Sequence, residues 1–224
     1  MCGRISLFSE LGDLASQFRF ALGQTNDDYR PSWNIAPTAP ILVVRADAHE
    51  RLASVMSWGF TFRSRSGSGS SRPLFNARSE TLAQRPAFRA AFAERRCLIP
   101  ANGFYEWRSD GGKKTPMWIH RADERPFAFA GIYNTRPTEA ASIITCEPNS
   151  MMSAIHNRMP VMLSDEQCYE WLDPDADPET LNVLLASREW PDMAAWEVPN
   201  GVNRAGNDGP QLIEQVDGAT PRLL

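Results

Sequence analysis

The alternation of apolar and polar positions along the chain predicts mainly β-strands. Branched and aromatic residues recur with the two-residue period of a half-buried strand, most clearly in the middle of the sequence. Strands are predicted for ILVVRA, RLASVMSWGF, CLIPANGFYEWR, TPMWIHRA, PFAFAGIYN, ASIITCE and MPVMLS. Shorter strands are predicted near the carboxyl end for AAWEVP and QLIEQ.

Helical spacing predicts short amphipathic helices outside the strand-rich region. SELGDLASQF places its apolar residues on one helical face, with Ser9 as the expected N-cap. ETLAQRPAFRAAFAE has a helical pattern that Pro86 must interrupt. Ser164 and Gln167 form a capping box before DEQCYEWL, and Asp177 followed by Pro178 is expected to cap PETLNVLLAS.

The remaining segments complete the predicted fold. PSWNIAPTAP and residues 64–73 are predicted to be loops, the second flexible and at the surface. Because strands dominate and no βαβ alternation or internal repeat occurs, we predict a single α+β domain. It should contain a curved, barrel-like, mostly antiparallel sheet flanked by short helices. The domain is expected to span residues 2–216, with residues 217–224 as a carboxyl-terminal tail.

Charge is unevenly distributed along the 224 residues, although the net charge is only −4. Residues 63–108 contain nine arginines and three glutamates, whereas residues 165–224 contain thirteen acidic residues and three arginines. This asymmetry permits a basic, phosphate-binding face on an acidic protein, and a solvated arginine surface is an equally good interpretation. The chain has no long apolar run and no signal-peptide pattern, so a cytoplasmic location is expected, with no membrane partner.

Cys2 is the cysteine whose position suggests chemistry. Cys97, Cys146 and Cys168 lie in apolar strand or helix patterns and are expected to be buried, and no CxxC pair suggests a metal or redox motif. If Met1 is removed, Cys2 carries an α-amine with a pKa of about 8 beside its thiol. Such a 1,2-aminothiol condenses with an aldehyde, first as an imine and then as a thiazolidine ring.

Glu106 is the strongest candidate for an acid–base group. In NGFYEWR, strand alternation places Tyr105 and Trp107 on one face and Phe104 and Glu106 on the other, inward face. A carboxylate among aromatic residues is expected to have a raised pKa, although pairing with an arginine is the alternative.

Two further polar residues stand at boundaries between predicted elements. His156 lies in SAIHNRMPV where a helix gives way to a strand, a position more typical of function than of a core. Asn76, in LFNARSE, follows two apolar residues and is either a helix cap or a functional amide.

Together these segments resemble the SRAP (SOS-response-associated peptidase) family. The similarity covers roughly residues 2–216, and its motifs occur in the order found in that family. They are MCGRI, WNIAPT, WGF, NARSET, PAFR, RRCLIPANGFYEW, IITC, HNRMPV and VNRAGNDGPQLIE.

The resemblance implies covalent capture of abasic sites in single-stranded DNA as a thiazolidine DNA–protein crosslink. The family nucleophile corresponds to Cys2, and the other catalytic positions to Asn76, Glu106 and His156. Glu106 would open the closed sugar, His156 would act as a second acid or base, and Asn76 would orient the Cys2 backbone or the sugar. The family is also associated with autoproteolytic exposure of the cysteine, and weak lyase activity at the abasic site is compatible with these groups.

The resemblance also implies how DNA would be bound. Arg4 and Arg78 would contact phosphates, Trp58 and Trp107 would stack on or beside bases, and Thr145 corresponds to a DNA-contact position. The second arginine of the family's helix corresponds to either Arg85 or Arg89. We expect a monomer that acts without a cofactor or metal and that is nucleoid-associated when bound to DNA.

Two other functions remain open from the residues alone. One is an N-terminal-nucleophile cysteine peptidase or amidohydrolase, with Cys2 as nucleophile and Glu106 and His156 as acid–base partners. The other is a non-enzymatic single-stranded-DNA-binding module in which Cys2 has no chemical role.

Overall fold

The computed structural model describes residues 2–22, 25–47, 50–61, 73–216 and 222–223. These residues form two β-sheets with short helices outside them. The strands are β1 (Ile5–Leu7), β2 (Ser32–Ile35), β3 (Pro40–Asp47), β4 (Glu50–Trp58), β5 (Asn76–Arg78), β6 (Arg96–Ala101), β7 (Gly103–Asp110), β8 (Lys113–Arg121), β9 (Phe127–Asn134), β10 (Ala140–Cys146), β11 (Met159–Pro160), β12 (Met162–Leu163), β13 (Met193–Glu197) and β14 (Arg222–Leu223).

Short helices connect these strands and lie outside the sheets. The α-helices are α1 (Leu11–Phe18), α2 (Thr25–Asp28), α3 (Arg89–Glu94), α4 (Ser150–Ser153), α5 (Asp165–Leu172) and α6 (Pro178–Leu184). Single 3₁₀ turns occur at Ser79–Thr81, Asn200–Asn203 and Pro210–Leu212. None of the helices in the described parts of the chain has the length and apolar character needed to cross a membrane.

The larger sheet closes into a ring. Its strand order is β11-β10-β4-β3-β6-β9-β12, and β9 also pairs with β10, so that strands β10, β4, β3, β6 and β9 form a closed circuit. The smaller sheet has the order β14-β13-β8-β7-β1-β2. Among the described strands, β10 pairs in parallel with β4 and β5, and the other pairs are antiparallel. The predicted α+β domain with a curved, mostly antiparallel sheet is therefore confirmed, and the ring is the form that the curvature takes.

A single residue carries the chain from the ring to the smaller sheet. Asn102 stands between β6 and β7, and its backbone N–H donates to Ser6 O (2.8 Å). Its side-chain oxygen accepts the backbone N–H groups of Phe8 (2.8 Å) and Ser9 (3.0 Å). A side chain at Gly103 would approach Trp118 Nε1 to 2.3 Å, so only glycine permits this crossing. The crossing therefore fixes β1 beside β7.

The two faces of the smaller sheet pack into different hydrophobic clusters. Phe104 points into the main core, which fills the ring and the space between the sheets. Tyr105 packs on the opposite face against Trp118, and Trp107 lies at the border of that second cluster. Glu106 follows the direction of Phe104 and is also buried. This alternation confirms the two faces predicted for NGFYEWR.

Arg96 joins the carboxyl ends of two helices to β6. Its buried guanidinium donates to Phe92 O (3.2 Å) and Ala93 O (3.1 Å) at the end of α3. It also donates to Trp171 O (2.9 Å) and Asp173 O (2.5 Å) at the end of α5. A cation at two helix carboxyl ends satisfies carbonyl groups that lack helical partners.

Several predicted helix boundaries are confirmed. Ser164 Oγ accepts from Gln167 N and Gln167 Oε1 accepts from Ser164 N, which is the predicted capping box of α5. The Asp177 side chain caps α6 by accepting from the first-turn N–H groups. The helical pattern around Pro86 does break, into a 3₁₀ turn and α3.

Three local predictions were wrong, two of them because tertiary partners override local preference. Ser9 does not cap α1; its hydroxyl accepts from Asn102 Nδ2 instead. PSWNIAPTAP contains strand β2, since β1 supplies a pairing partner for residues 32–35. QLIEQ is not a strand: Gln211 and Leu212 belong to the 3₁₀ turn that begins at Pro210, and Pro210 lacks the N–H that a strand ladder would use. The predicted loop 64–73 lies outside the described residues apart from Pro73.

We expect Arg96→Lys to lower the free energy of unfolding by about 2–4 kcal/mol, because lysine cannot reach both helix ends with a planar set of donors. Urea unfolding followed by circular dichroism measures this loss. The control is Arg89→Lys, an exposed position at the start of α3, where the change should stay within about 0.5 kcal/mol. Equal stability of the two variants would show that the guanidinium of Arg96 does not hold the helices in place.

Candidate active site between the two sheets

Strand β10 lies between the segments that carry two predicted site residues. On one side β5 runs parallel to it, with Asn76 opposite Ile143. On the other side β11 runs antiparallel, with Met159 opposite Cys146. His156 precedes β11 by only a few residues, after the end of α4. Asn76 and His156 therefore approach the site from opposite edges of the same strand.

The smaller sheet contributes the amino-terminal residues and Glu106. β1 pairs antiparallel with β7, with Ile5 opposite Phe104, and Tyr105 N donates to Arg4 O (2.9 Å). Continuing this register places Gly3 opposite Glu106 and Cys2 opposite Trp107. The amino-terminal segment thus extends along the strand that carries the candidate acid.

Asn76 connects the two sheets at this point. Its side-chain Nδ2 donates to the Cys2 carbonyl oxygen at 2.7 Å. Within the described part of the chain, Asn76 Oδ1 is buried and accepts no hydrogen bond. The amide therefore holds the Cys2 backbone with one end and presents a free acceptor with the other. Such an acceptor suits a donor group on a ligand or on the amino terminus.

The Cys2 thiol is fully buried. Burial raises the pKa of the Cys2 thiol, and the nearby charge of Glu106 raises it further. The group is therefore a neutral thiol at physiological pH rather than a thiolate. The three other cysteines are also buried, as the sequence predicted.

Glu106 lies close to His156 at the base of the site. The Glu106 side chain is 4% exposed, and its Oε2 lies 4.0 Å from His156 Nε2. Burial raises the pKa of the Glu106 carboxyl, and interaction with His156 partly opposes this effect. The predicted inward orientation and raised pKa are both present. The ionisable side chain seen next to the Glu106 carboxyl is therefore a histidine and not the arginine of the alternative interpretation.

The other ring nitrogen of His156 faces the backbone of Arg158. His156 Nδ1 accepts the Arg158 backbone N–H at 3.0 Å, and the Arg158 carbonyl oxygen lies 3.2 Å from the same nitrogen. In the neutral ring, accepting at Nδ1 places the proton on Nε2, which faces Glu106. A protonated ring could instead donate from Nδ1 to the carbonyl. Both protonation states therefore have a backbone partner.

The predicted DNA-contact arginines differ in their accessibility. Arg78 is exposed at the end of β5, and Arg85 and Arg89 are exposed just beyond it in sequence. Arg4 is half-buried, and its Nη1 donates to Asn34 Oδ1 (2.7 Å) and to Val202 O (2.6 Å). Arg78, Arg85 and Arg89 are therefore accessible to a phosphate, whereas Arg4 is partly engaged within the protein.

Trp58 and Thr145 are buried in the free protein. Trp58 is fully buried, and its Nε1 donates to Phe75 O (2.9 Å), so the ring offers no face to a base. Thr145 is also fully buried, beneath the Arg158 side chain. Both residues belong to strands of the ring, so the surface of the free protein exposes neither of them, and their contact with DNA stays a prediction. Trp107 is half-buried, and its Nε1 donates to Asn203 Oδ1 (2.7 Å).

The structure adds residues that the sequence did not single out for the site. Arg158 and Glu80 form an ion pair beside His156, with an Nη1–Oε1 distance of 2.5 Å. Asn34 anchors Arg4 and also donates to the carbonyl groups of Arg204 (3.0 Å) and Asn207 (2.8 Å). Their only signal in the sequence was their place within the motifs NARSET, HNRMPV and WNIAPT.

Comparison with known proteins gives consistent matches over nearly the whole chain. The family model described as SOS response associated peptidase (SRAP) matches residues 1–205. The abasic site processing protein YoqW of Bacillus subtilis is 40% identical over 222 residues, covering 96% of this chain and 99% of its own. The abasic site processing protein YedK of Escherichia coli is 31% identical over 224 residues, covering 88% and 99%. A crystal structure of a protein from Bacteroides thetaiotaomicron is 23% identical and superposes with a TM-score of 0.84, covering 96% of this chain and 100% of its own. At this identity the match establishes a shared fold only.

We expect Glu106→Gln to stabilise the fold at neutral pH, because burial raises the pKa of Glu106 in the folded state. The unfolded chain then binds fewer protons than the native protein between the two pKa values, so wild-type stability falls as pH rises through that interval. In the variant, the decrease in stability with rising pH that is due to Glu106 should be absent. Thermal unfolding of both proteins from about pH 4 to 8 measures it. A variant that is less stable than the wild type across the whole pH range would contradict a raised pKa of Glu106 in the folded state.

Proposed function

The chain belongs to the SOS response associated peptidase (SRAP) family, and from this membership and the geometry of the site we propose that it captures abasic sites in DNA covalently through Cys2. The preferred substrate is an abasic site in single-stranded DNA, and the product is a thiazolidine crosslink that shields the lesion. The observation that carries the proposal is the convergence of Cys2, Asn76, Glu106 and His156 from four separate segments on one point between the sheets.

The first reacting group is the α-amine of Cys2, which becomes available when Met1 is removed. An α-amine has a pKa of about 8, so a useful fraction is unprotonated at neutral pH. The thiol is a weaker first nucleophile here because burial and Glu106 raise its pKa. Asn76 fixes the Cys2 carbonyl, which limits the rotation of the adjacent amine and orients it for attack.

Glu106 supplies the acid that the substrate requires. An abasic deoxyribose exists mainly as a closed hemiacetal, and a proton delivered to its ring oxygen assists opening to the aldehyde. A carboxyl with a raised pKa retains a proton at pH values where an ordinary glutamate has lost it. His156 Nε2, 4.0 Å from Glu106, is placed to exchange protons with it between steps.

The reaction then proceeds in two bond-forming stages. The amine nitrogen bonds to C1′ of the open sugar, the carbonyl oxygen takes up protons, and water leaves to give an imine. The Cys2 sulfur next bonds to the same carbon while the thiol proton passes to nitrogen. The five-membered ring contains the sulfur, Cβ, Cα, the nitrogen and C1′. Closing the ring requires no thiolate in advance, which is compatible with the raised pKa of the buried Cys2 thiol.

The basic residues next to β5 provide the proposed DNA contacts. Arg78 is exposed beside Asn76, and Arg85 and Arg89 continue the positive surface. Trp107 is the remaining aromatic candidate for stacking beside the lesion, a contact worth about 1–3 kcal/mol per base in single-stranded complexes. Because Trp58 and Thr145 are buried, they are left out of this proposed surface.

The proposal also includes the removal of Met1 and a weak strand-cleaving side reaction. Met1 would leave either through an aminopeptidase or through self-cleavage. Once the imine has formed, His156 and Glu106 are the groups available for β-elimination, which would give weak lyase activity. An N-terminal-nucleophile peptidase acting on other substrates is less well supported, because such a nucleophile needs a lowered thiol pKa and that of Cys2 is raised.

We expect Cys2→Ala to abolish a covalent adduct while leaving most non-covalent DNA binding intact. Protein whose mass confirms the loss of Met1 would be incubated with a single-stranded oligonucleotide containing one abasic site. The wild type should give an adduct that withstands heat, detergent and mild alkali, since a thiazolidine is more stable than an open imine. Denaturing electrophoresis and mass spectrometry would measure the yield.

The matched control for this experiment is Cys168→Ala, which removes another buried thiol on α5 and should crosslink like the wild type. Glu106→Gln should form the same adduct more slowly, by about 10²–10⁴-fold if it supplies the general acid. A stable adduct with Cys2→Ala would refute the proposal. Binding without any adduct in the wild type would favour the non-enzymatic DNA-binding alternative.

We expect Arg78→Ala to reduce the salt dependence of initial DNA binding. Each phosphate contact on a single strand contributes about −0.7 to the slope of log K against log salt concentration. Fluorescence anisotropy with unmodified single-stranded DNA at several salt concentrations measures that slope. Arg125→Ala, an exposed arginine in the connection between β8 and β9, should leave the slope unchanged. A slope unaffected by Arg78→Ala would remove this residue from the proposed surface.

A further inference from the structure

We propose that Glu80 is a positioning residue that fixes the tautomer and orientation of His156 by holding Arg158. Glu80 and His156 belong to segments far apart in sequence, and Glu80 follows the strand that carries Asn76. The inference rests on the proposed function only for its effect on crosslinking. Its structural content concerns the imidazole ring and can be measured without DNA.

Glu80 holds Arg158 through two parallel contacts. Arg158 Nη1 lies 2.5 Å from Glu80 Oε1, and Nη2 lies 3.0 Å from Oε2. A bidentate pair of this kind restricts the guanidinium in both position and plane. Hydrogen bonds from Arg158 lower the pKa of the Glu80 carboxyl, so the carboxylate is charged at neutral pH.

Arg158 is also fixed to strand β10. Its Nη2 donates to Thr145 O at 2.6 Å and lies 3.4 Å from Thr145 Oγ1. The Arg158 side chain is only 13% exposed, whereas that of Glu80 is 43% exposed. The charge partner of the guanidinium is therefore a carboxylate at the surface, while Thr145 holds the same group from the inside. This contact also explains why Thr145 is covered.

The backbone of Arg158 transmits this placement to His156. Its N–H donates to His156 Nδ1 at 3.0 Å, which leaves the proton of the neutral ring on Nε2. That nitrogen lies 4.0 Å from Glu106 Oε2. A shift of the Arg158 backbone would weaken the hydrogen bond at Nδ1, so that the other neutral tautomer and other ring orientations become populated. The chain of contacts thus runs from Glu80 through Arg158 to the candidate acid–base pair.

Surface ion pairs often contribute little to stability, so a role in positioning predicts a different pattern from a role in folding. If Glu80 acted only as a surface ion pair, its neutralisation would leave the imidazole unchanged. If Glu80 positions His156, the ring should change while global stability changes little. Glu80→Asp keeps the charge and should restore the wild-type ring in part.

The test is the nitrogen NMR spectrum of the imidazole rings in the free protein. The chain has only three histidines, so His156 can be assigned with a single His156→Gln variant. The wild type should show His156 with its proton on Nε2 when the ring is neutral. Glu80→Gln should show a mixture of tautomers for His156, with a melting temperature close to that of the wild type.

The matched control is Glu94→Gln, which removes another arginine–glutamate pair at the surface, 2.9 Å from Arg95. It should leave the His156 signals unchanged. In the crosslinking assay, Glu80→Gln should lower the rate about tenfold through misplacement of the ring, with less than about a twofold change in affinity for intact single-stranded DNA. Glu80→Asp should recover part of the rate.

The outcomes separate this inference from the proposed function. An unchanged His156 spectrum in Glu80→Gln would overturn the positioning role, whatever the crosslinking result. If Glu80→Gln changes the His156 spectrum but the wild type forms no adduct, the result would support the positioning role and contradict covalent capture. A changed spectrum with an unchanged crosslinking rate would overturn the functional part of the inference, since His156 would then be misplaced without consequence.

Discussion

The site depends on the way in which the chain crosses from the ring to the smaller sheet at Asn102. No turn separates β6 from β7, so the single crossing residue must satisfy its own polar groups and those of its neighbours. It does so by binding the backbone of β1 and of the residues that follow it. Because β1 is thereby held against β7, residues 2–4 are directed along the strand that carries Glu106.

The ring supports the opposite wall of the same site. Its strand β10 pairs in parallel with β5 and antiparallel with β11, which places Asn76 and the segment of His156 on either side of one rigid strand. The two walls are then joined by one short contact, from the Asn76 amide to the Cys2 carbonyl. A site assembled between two sheets in this way gains precision from both, because strands are more rigid supports than loops.

Burial between the two sheets disfavours the charged forms of the ionisable groups in the site. Burial raises the pKa of Glu106 and of the Cys2 thiol, and Asn76 keeps a buried acceptor without a partner among the described residues. Each of these features costs stability unless a ligand or a reaction uses it. The surrounding structure tolerates that cost through well-satisfied contacts elsewhere, such as the four carbonyl groups bound by Arg96.

The sequence by itself determined the strand-rich α+β class, the capped helices α5 and α6 and the inward face of Glu106, because period and capping residues act locally. It also suggested the chemistry that we propose for Cys2. It failed where distant partners decide the outcome. Ser32–Ile35 became a strand through β1, and Ser9 was taken by Asn102. The burial of Trp58 and Thr145 was likewise decided by strands that pair from far along the chain. The ion pair of Glu80 with Arg158, and hence the setting of His156, was decided by tertiary structure alone. Its two residues are 78 positions apart, and only strand pairing around β10 brings them within hydrogen-bond distance.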